Sequence, residues 1–188
     1  MIEISAEAVE RVNKILSGVP KGAEKAMSNA MNRGLQKVKT SALKQVKTVY
    51  AVKSGDFNAA TRTRIRNTSA GSLAGYISFS GVKIPLYKFN STPKVPGTGQ
   101  MVRAGLFKGV FTPFEHAFLA GLRCGHLGIF ERKDPPPKRL PIGERMGHSG
   151  AEMVGNAAVI PEIEKQAQEV IDNRIDHEIS RILNGYGG

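Results

Sequence analysis

Apolar residues recur along this chain in three helical runs separated by shorter alternating ones. Val9, Val12 and Leu16 are spaced by three and four, which predicts a helix over residues 5–17. Ser5 is placed to cap its first turn, where its hydroxyl accepts from a free N–H, and Gly18 and Pro20 end it. A second stripe, Met27, Met31, Leu35, Val38, Ala42, Val46 and Val49, predicts a long helix over 21–51. Gly34 is its weak point, since glycine is a poor helix former. The third stripe, Ile160, Ile163, Ala167, Ile171, Ile175, Ile179 and Ile182, predicts an amphipathic helix over 159–183. Its acids Glu162, Glu164, Glu169 and Asp172 come early and Arg174 and Arg181 late, the order that suits the helix dipole.

Between these helices the period shortens to two. Residues 52–60 predict a turn and one helical turn, capped by Ser54 or Asp56. Residues 61–68, TRTRIRNT, alternate as a strand would, placing Arg62, Arg64 and Arg66 on one face. Residues 73–80 and 83–89 read as strands joined in a hairpin at Ser80-Gly81, with Pro85 confining the second to an edge or a bend. Residues 90–99, NSTPKVPGTG, predict a loop, after which Val102, Leu106, Phe107, Val110 and Phe111 supply apolar side chains to a sheet. Residues 117–122 and 127–131 predict a hairpin with Gly125 at its turn. KDPPPKR at 133–139 is a polyproline-biased exposed loop, and LPIGERMG returns to extended chain. Phe118, Ile129 and Phe130 are the expected buried anchors of this part. The whole predicts an α+β protein of one domain, 1–188. A twisted, mainly antiparallel sheet over 61–147 is packed by the long N-terminal-half helix and the C-terminal helix.

Charge adds a direction to this picture. The net charge is +11, and it is unevenly placed. Residues 21–110 hold 16 Lys and Arg against two acids, Glu24 and Asp56, whereas residues 111–188 hold nine against 11. Arg33, Lys37, Lys44 and Lys47 share a period on the long helix, and Arg62, Arg64 and Arg66 follow on the strand. These seven are the expected polyanion- or partner-facing residues. The alternative is a solvated basic face and, for the strand, an edge kept soluble by its charges. Phe57 is almost the only aromatic among them, so contact with DNA through this segment would be nonspecific and to the backbone. A nonspecific DNA-binding protein using residues 21–66 is therefore the rival functional reading.

Catalytic chemistry finds little support. Gly147-His148-Ser149-Gly150-Ala151 approaches the nucleophile elbow, but Ala151 stands at the motif's last glycine and PIGERM is no buried hydrophobic strand. Cys124, His126, His116 and His148 contain one thiol and lack paired zinc-ligand spacing, so a small buried cysteine and surface histidines are expected. Glu131, Asp134 and Glu144 lie among Arg132, Lys133, Lys138, Arg139 and Arg145, which points to solvated ion pairs. No catalytic residue, metal site or cofactor is expected. One cysteine excludes an internal disulfide, and no run of about 18 apolar residues signals a membrane span. The acidic, amphipathic start is unlike a secretory signal, so synthesis in the cytoplasm is the expectation.

One stretch carries a family likeness. Ala117-Phe118-Leu119-Ala120, Gly125-His126-Leu127-Gly128-Ile129-Phe130-Glu131-Arg132, Arg139-Leu140-Pro141-Ile142 and Gly147 resemble the prophage minor tail protein Z family of long-tailed phages. Lys83-Ile84-Pro85-Leu86-Tyr87-Lys88-Phe89 and Ala30-Met31-Asn32-Arg33-Gly34 are similar to earlier parts of that family. The likeness covers roughly residues 22–155, and His148-Ser149-Gly150-Ala151-Glu152 departs from the family's Pro-Ser type turn. The resemblance implies a structural virion protein and not an enzyme. It would complete the tail near the head–tail joint, and the resemblance implies a homo-oligomeric ring around the DNA channel. Its implied partners are other tail or neck proteins and, nonspecifically, phage DNA, with assembly in the host cytoplasm and residence in the virion tail.

Overall fold

The computed structural model describes residues 4, 6–69, 71–134 and 138–185. Helices α1 (Ala6–Ile15), α2 (Gly22–Val49) and α3 (Ser54–Ala60) come first. Strands β1 (Thr61–Arg66), β2 (Tyr76–Gly81) and β3 (Lys83–Pro85) follow, then a short 3₁₀ turn, Leu86–Lys88. Seven further strands are β4 (Asn90–Thr92), β5 (Val102–Gly105), β6 (Thr112–Phe114), β7 (Ala117–Gly121), β8 (Leu127–Arg132), β9 (Ile142–Glu144) and β10 (Met146–Ser149). Helices α4 (Gly150–Val154) and α5 (Ile160–Leu183) complete the order. The protein is α+β, with α2 packed against α5. Its strands are divided among four small sheets: β1–β2, β3–β10, β4–β5–β6 and β7–β8–β9. The cap expected at Ser5 and residues 135–137 of the proline-rich loop lie outside the described residues.

The chain forms two compact units. The first comprises Met1–Gln45, Thr63–Ser78 and Ala157–Gly188. Its core gathers Val12 and Leu16 around α1, Ala26, Met27 and Ala30 from α2, and Ile171, Ile175, Ile179 and Ile182 from α5. In α5 the predicted stripe supplies the joining surface, whereas of the α2 stripe only Met27 belongs to this cluster, beside Ala26 and Ala30. Ile160 departs from its stripe and stays exposed, while Glu178 is buried. Gly34 is the point of closest approach: a Cβ there would stand 2.5 Å from Ile171 Cγ1. Thr68 ties the chain after β1 to α2. Its N–H donates to Asn32 Oδ1 at 2.8 Å, and Asn32 Nδ2 donates back to its carbonyl at 3.1 Å. Its buried hydroxyl lies 3.0 Å from both the Ser28 carbonyl and Ser28 Oγ.

The second unit comprises Val46–Arg62 and Phe79–Asn156. Leu86, Val102, Ala104, Leu119 and Ile129 form its main apolar cluster. The β7–β8 hairpin has the expected form. Phe118 pairs with Phe130 and Leu119 with Ile129, and Gly125 turns the chain at φ 82°. The positive φ favours glycine there. Ile129 and Phe130 are buried as expected, but Phe118 is only half-buried. β9 adds antiparallel to β8, pairing Phe130 with Glu144 and Arg132 with Ile142.

Three expectations change in this unit. The segments 73–80 and 83–89 do not pair with each other; β2 pairs with β1 and β3 with β10. Gly81 serves a close backbone approach instead of a reversal, since a Cβ would overlap the Ala60 carbonyl, to which the Val82 N–H donates at 3.2 Å. The loop expected over 90–99 begins as a strand, with Asn90–Thr92 paired to Arg103–Gly105 of β5. Residues 54–60 are helical, but Lys53 occupies the N-cap, and neither Ser54 nor Asp56 caps it.

Candidate functional site

The arginine-bearing strand is built as its alternation predicts. Along β1, Thr61, Thr63 and Ile65 are half-buried while Arg62, Arg64 and Arg66 are exposed. Among the described residues, no carboxylate lies within ion-pair distance of these three, nor of Arg33, Lys37 or Lys44. Lys47 is engaged differently, with Nζ 3.2 Å from Ser54 Oγ. The seven basic residues do not fall in one unit. Arg33, Lys37, Lys44, Arg64 and Arg66 belong to the first, Lys47 and Arg62 to the second.

In the first unit, Arg33 is part of a more developed feature. α2 and α5 border a polar cleft of about 360 Å³, with Lys25, Asn29, Asn32, Arg33 and Gln36 on the α2 side and Arg174, Glu178 and Arg181 on the α5 side. Asn67, next after β1, also lines it. Glu178 is the electrostatic centre, although its side chain is only 1% exposed. Its Oε2 accepts from Asn29 Nδ2 at 3.0 Å and from Arg181 Nη1 at 3.4 Å. Its Oε1 lies 2.7 Å from Arg174 Nη2, close enough for ion pairing but without hydrogen-bond alignment. A buried carboxylate requires partners of this kind.

Sequence reasoning passed over Arg174, Glu178 and Arg181 because they sit in the acidic part of the chain. Their spacing of four and three was the available signal, since it places all three on one helix face.

The second unit presents an apolar feature. The connection between β5 and β6 exposes Phe107, Val110 and Phe111, at 38%, 55% and 48%. It is held by the backbone: Ala51 N–H donates to the Leu106 carbonyl at 3.0 Å and Lys108 N–H to the Val49 carbonyl at 2.9 Å. Phe107 stacks on the buried Tyr50 ring, with centroids 5.0 Å apart, and Asn156 Nδ2 donates to Tyr50 Oη at 2.8 Å. Exposed apolar side chains on such a fixed support suit a partner surface.

The histidines and acids nearby have structural partners. His126 Nε2 lies 2.8 Å from Glu144 Oε1, Arg145 Nε 2.7 Å from Glu131 Oε2, and Lys138 Nζ 3.4 Å from Asp134 Oδ2. Cys124 is exposed, not buried as the sequence suggests, because it stands in the turn of the β7–β8 hairpin. Among the described residues, no group of three His, Cys, Asp or Glu side chains is arranged to hold a metal ion. Among them too, no helix is long and apolar enough to cross a membrane.

Ser149 does stand at a strand-to-helix junction, between β10 and α4, but its hydroxyl is part of a capping box. It accepts from the Glu152 N–H at 3.2 Å, while the Ser149 N–H donates to Glu152 Oε2 at 2.7 Å. The Ser149 N–H holds the Glu152 carboxyl below its ordinary pKa; the Ser149 hydroxyl, Lys83 and His148 add to this and desolvation opposes it. Ser149→Ala is expected to lower stability by about 1 kcal/mol in denaturant unfolding. Unchanged stability together with loss of hydrolysis of an ester probe would instead give Ser149 a chemical role.

Comparison with protein-family models, with curated proteins and with solved structures finds no match.

Proposed function

We propose that this chain is a structural minor tail or tail-completion protein of a phage or prophage, acting near the head–tail joint. Its working form is a homo-oligomeric ring around the DNA channel, in contact with other tail or neck proteins. The observation that carries the reading is the fixed apolar tip of Phe107, Val110 and Phe111. Phe107 also packs on Tyr50 within the subunit, but Val110 and Phe111 are left about half exposed on a hydrogen-bonded support, where a subunit contact would use them as anchors.

The stretch behind the family likeness supports the same role. Its turn at Gly125 and its paired Phe118 and Phe130 belong to one three-stranded sheet, β7–β8–β9. They serve architecture. Arg62, Arg64 and Arg66 then face the channel or a neighbouring protein, where DNA phosphates or acidic side chains balance them. Virions made without this gene are expected to carry tails that fail to join heads or to infect. Full infectivity of such particles would sink the reading.

A further inference from the structure

We propose that the arginine face of β1 docks on the acidic α1–α5 surface of a second copy of this chain. The inference rests on the ring reading and names the contact that joins neighbouring subunits. Arg64 and Arg66 stand on the solvent face of β1. Among the described residues, no carboxylate lies within ion-pair distance of either. β2 pairs with β1, and its Tyr76 is 55% exposed. All three residues belong to the first unit. Arginine and tyrosine are over-represented where proteins meet, whereas nonspecific DNA contact needs the cations alone. This face therefore suits a protein better than a phosphate backbone.

The same unit carries the complementary surface. α1 and α5 border a cleft of about 380 Å³, with Glu7, Arg11, Asp172 and Asp176 in its lining. Arg11 is paired with Asp176. Gln168 Nε2 donates to Asp172 Oδ1 at 3.0 Å but brings no charge. Among the described residues, no cation lies within ion-pair distance of Glu7 or Asp172. Lys14, two turns beyond Glu7 on α1, is not part of the lining. Two unanswered carboxylates thus stand on one surface and two unanswered guanidinium groups on another.

These surfaces do not meet within one chain. Asp172 and Arg174 are two residues apart, about 200° around α5 at ~100° per residue. The Asp172 flank faces α1 and the Arg174 flank faces α2. Asn67, next after β1, lines the cleft on the Arg174 flank, so β1 ends on that side. Unlike, complementary surfaces on opposite flanks are what a head-to-tail contact joins, and such contacts close into a ring when the rotation allows. Charges matched in this way select partner and register.

The test is sedimentation analysis of the full chain in charge-reversed variants. Arg64→Glu/Arg66→Glu reverses the strand face, and Glu7→Lys/Asp172→Lys reverses the cleft. All four side chains are exposed, and thermal melting checks that each variant folds. Arg123→Glu, in the β7–β8 turn of the second unit, is the control, since it belongs to neither surface. Each paired reversal is expected to weaken self-association about a hundredfold, because like charges then face each other. An equimolar mixture of the two paired variants, and the variant combining all four substitutions, are expected to assemble, because opposite charges meet again. Arg123→Glu should leave association unchanged. Paired reversals without effect on a wild-type oligomer, a mixture that stays apart, or an equal loss in Arg123→Glu overturns the proposal and leaves the ring reading standing. A wild type that is monomeric at every concentration overturns both. Unchanged association with loss of duplex DNA binding in Arg64→Glu/Arg66→Glu assigns the strand face to DNA and overturns the proposal.

Discussion

Replacing Glu178 with Ala is expected to lower the free energy of unfolding by about 3 kcal/mol, the low end of what breaking a buried ion pair costs. The reason lies in what remains. Glu178 is 1% exposed and accepts from Asn29, while Arg174 and Arg181 approach it from its own helix. Without the carboxylate, the two guanidinium groups repel each other across a vacated site, and Asn29 Nδ2 loses its acceptor. The arginine side chains keep 26% and 40% of their surface in solvent, so water relieves part of the repulsion and the upper end of the range is not reached. Glu178→Gln keeps the shape and one acceptor oxygen, and its loss should be smaller. Urea unfolding of both variants checks the order. A loss below about 1 kcal/mol for Glu178→Ala would mean that the pair behaves as a surface salt bridge.

Gly34→Val is expected to destabilise the protein by about 3 kcal/mol, the upper part of the range for overpacking a filled core. Here two effects oppose each other and their sizes decide. Helix propensity alone favours valine over glycine by about 0.4 kcal/mol. Against it stands Ile171, whose Cγ1 and Cδ1 would be 2.5 Å and 2.6 Å from the new Cβ. Ile171 is itself buried, so it has nowhere to turn. The steric term therefore wins. Gly34→Ala combined with Ile171→Ala should recover part of what Gly34→Ala alone loses, since the two side chains share one space. A Gly34→Val protein more stable than wild type would show that α2 and α5 separate here at little cost.

Local pattern made much of this fold legible. The apolar stripes of α2 and α5 identify their buried faces, and the alternation in β1 identifies its exposed arginines. Gly125 marks the β7–β8 turn because a two-sided apolar alternation flanks it. What escaped the sequence depends on distant parts of the chain. Gly34 reads as a weak helix position until Ile171 is beside it. Gly81 reads as a turn until the Ala60 carbonyl is found against it. Summed charge also misled: residues 111–188 are net acidic, yet two of their arginines meet Arg33 in the cleft. A sum over a segment cannot show that helix periodicity gathers Arg174, Glu178 and Arg181 on one face.

The central claim is that this chain works as an assembled ring, and its oligomeric state in solution tests that most directly. Light scattering behind size exclusion should give a discrete closed oligomer for the wild type. Phe111→Asp, which places a charge on the exposed apolar tip, should shift it to monomer with the melting temperature of the subunit fold retained. A wild-type chain that stays monomeric at every concentration, or a Phe111→Asp variant that assembles as the wild type does, would contradict the account.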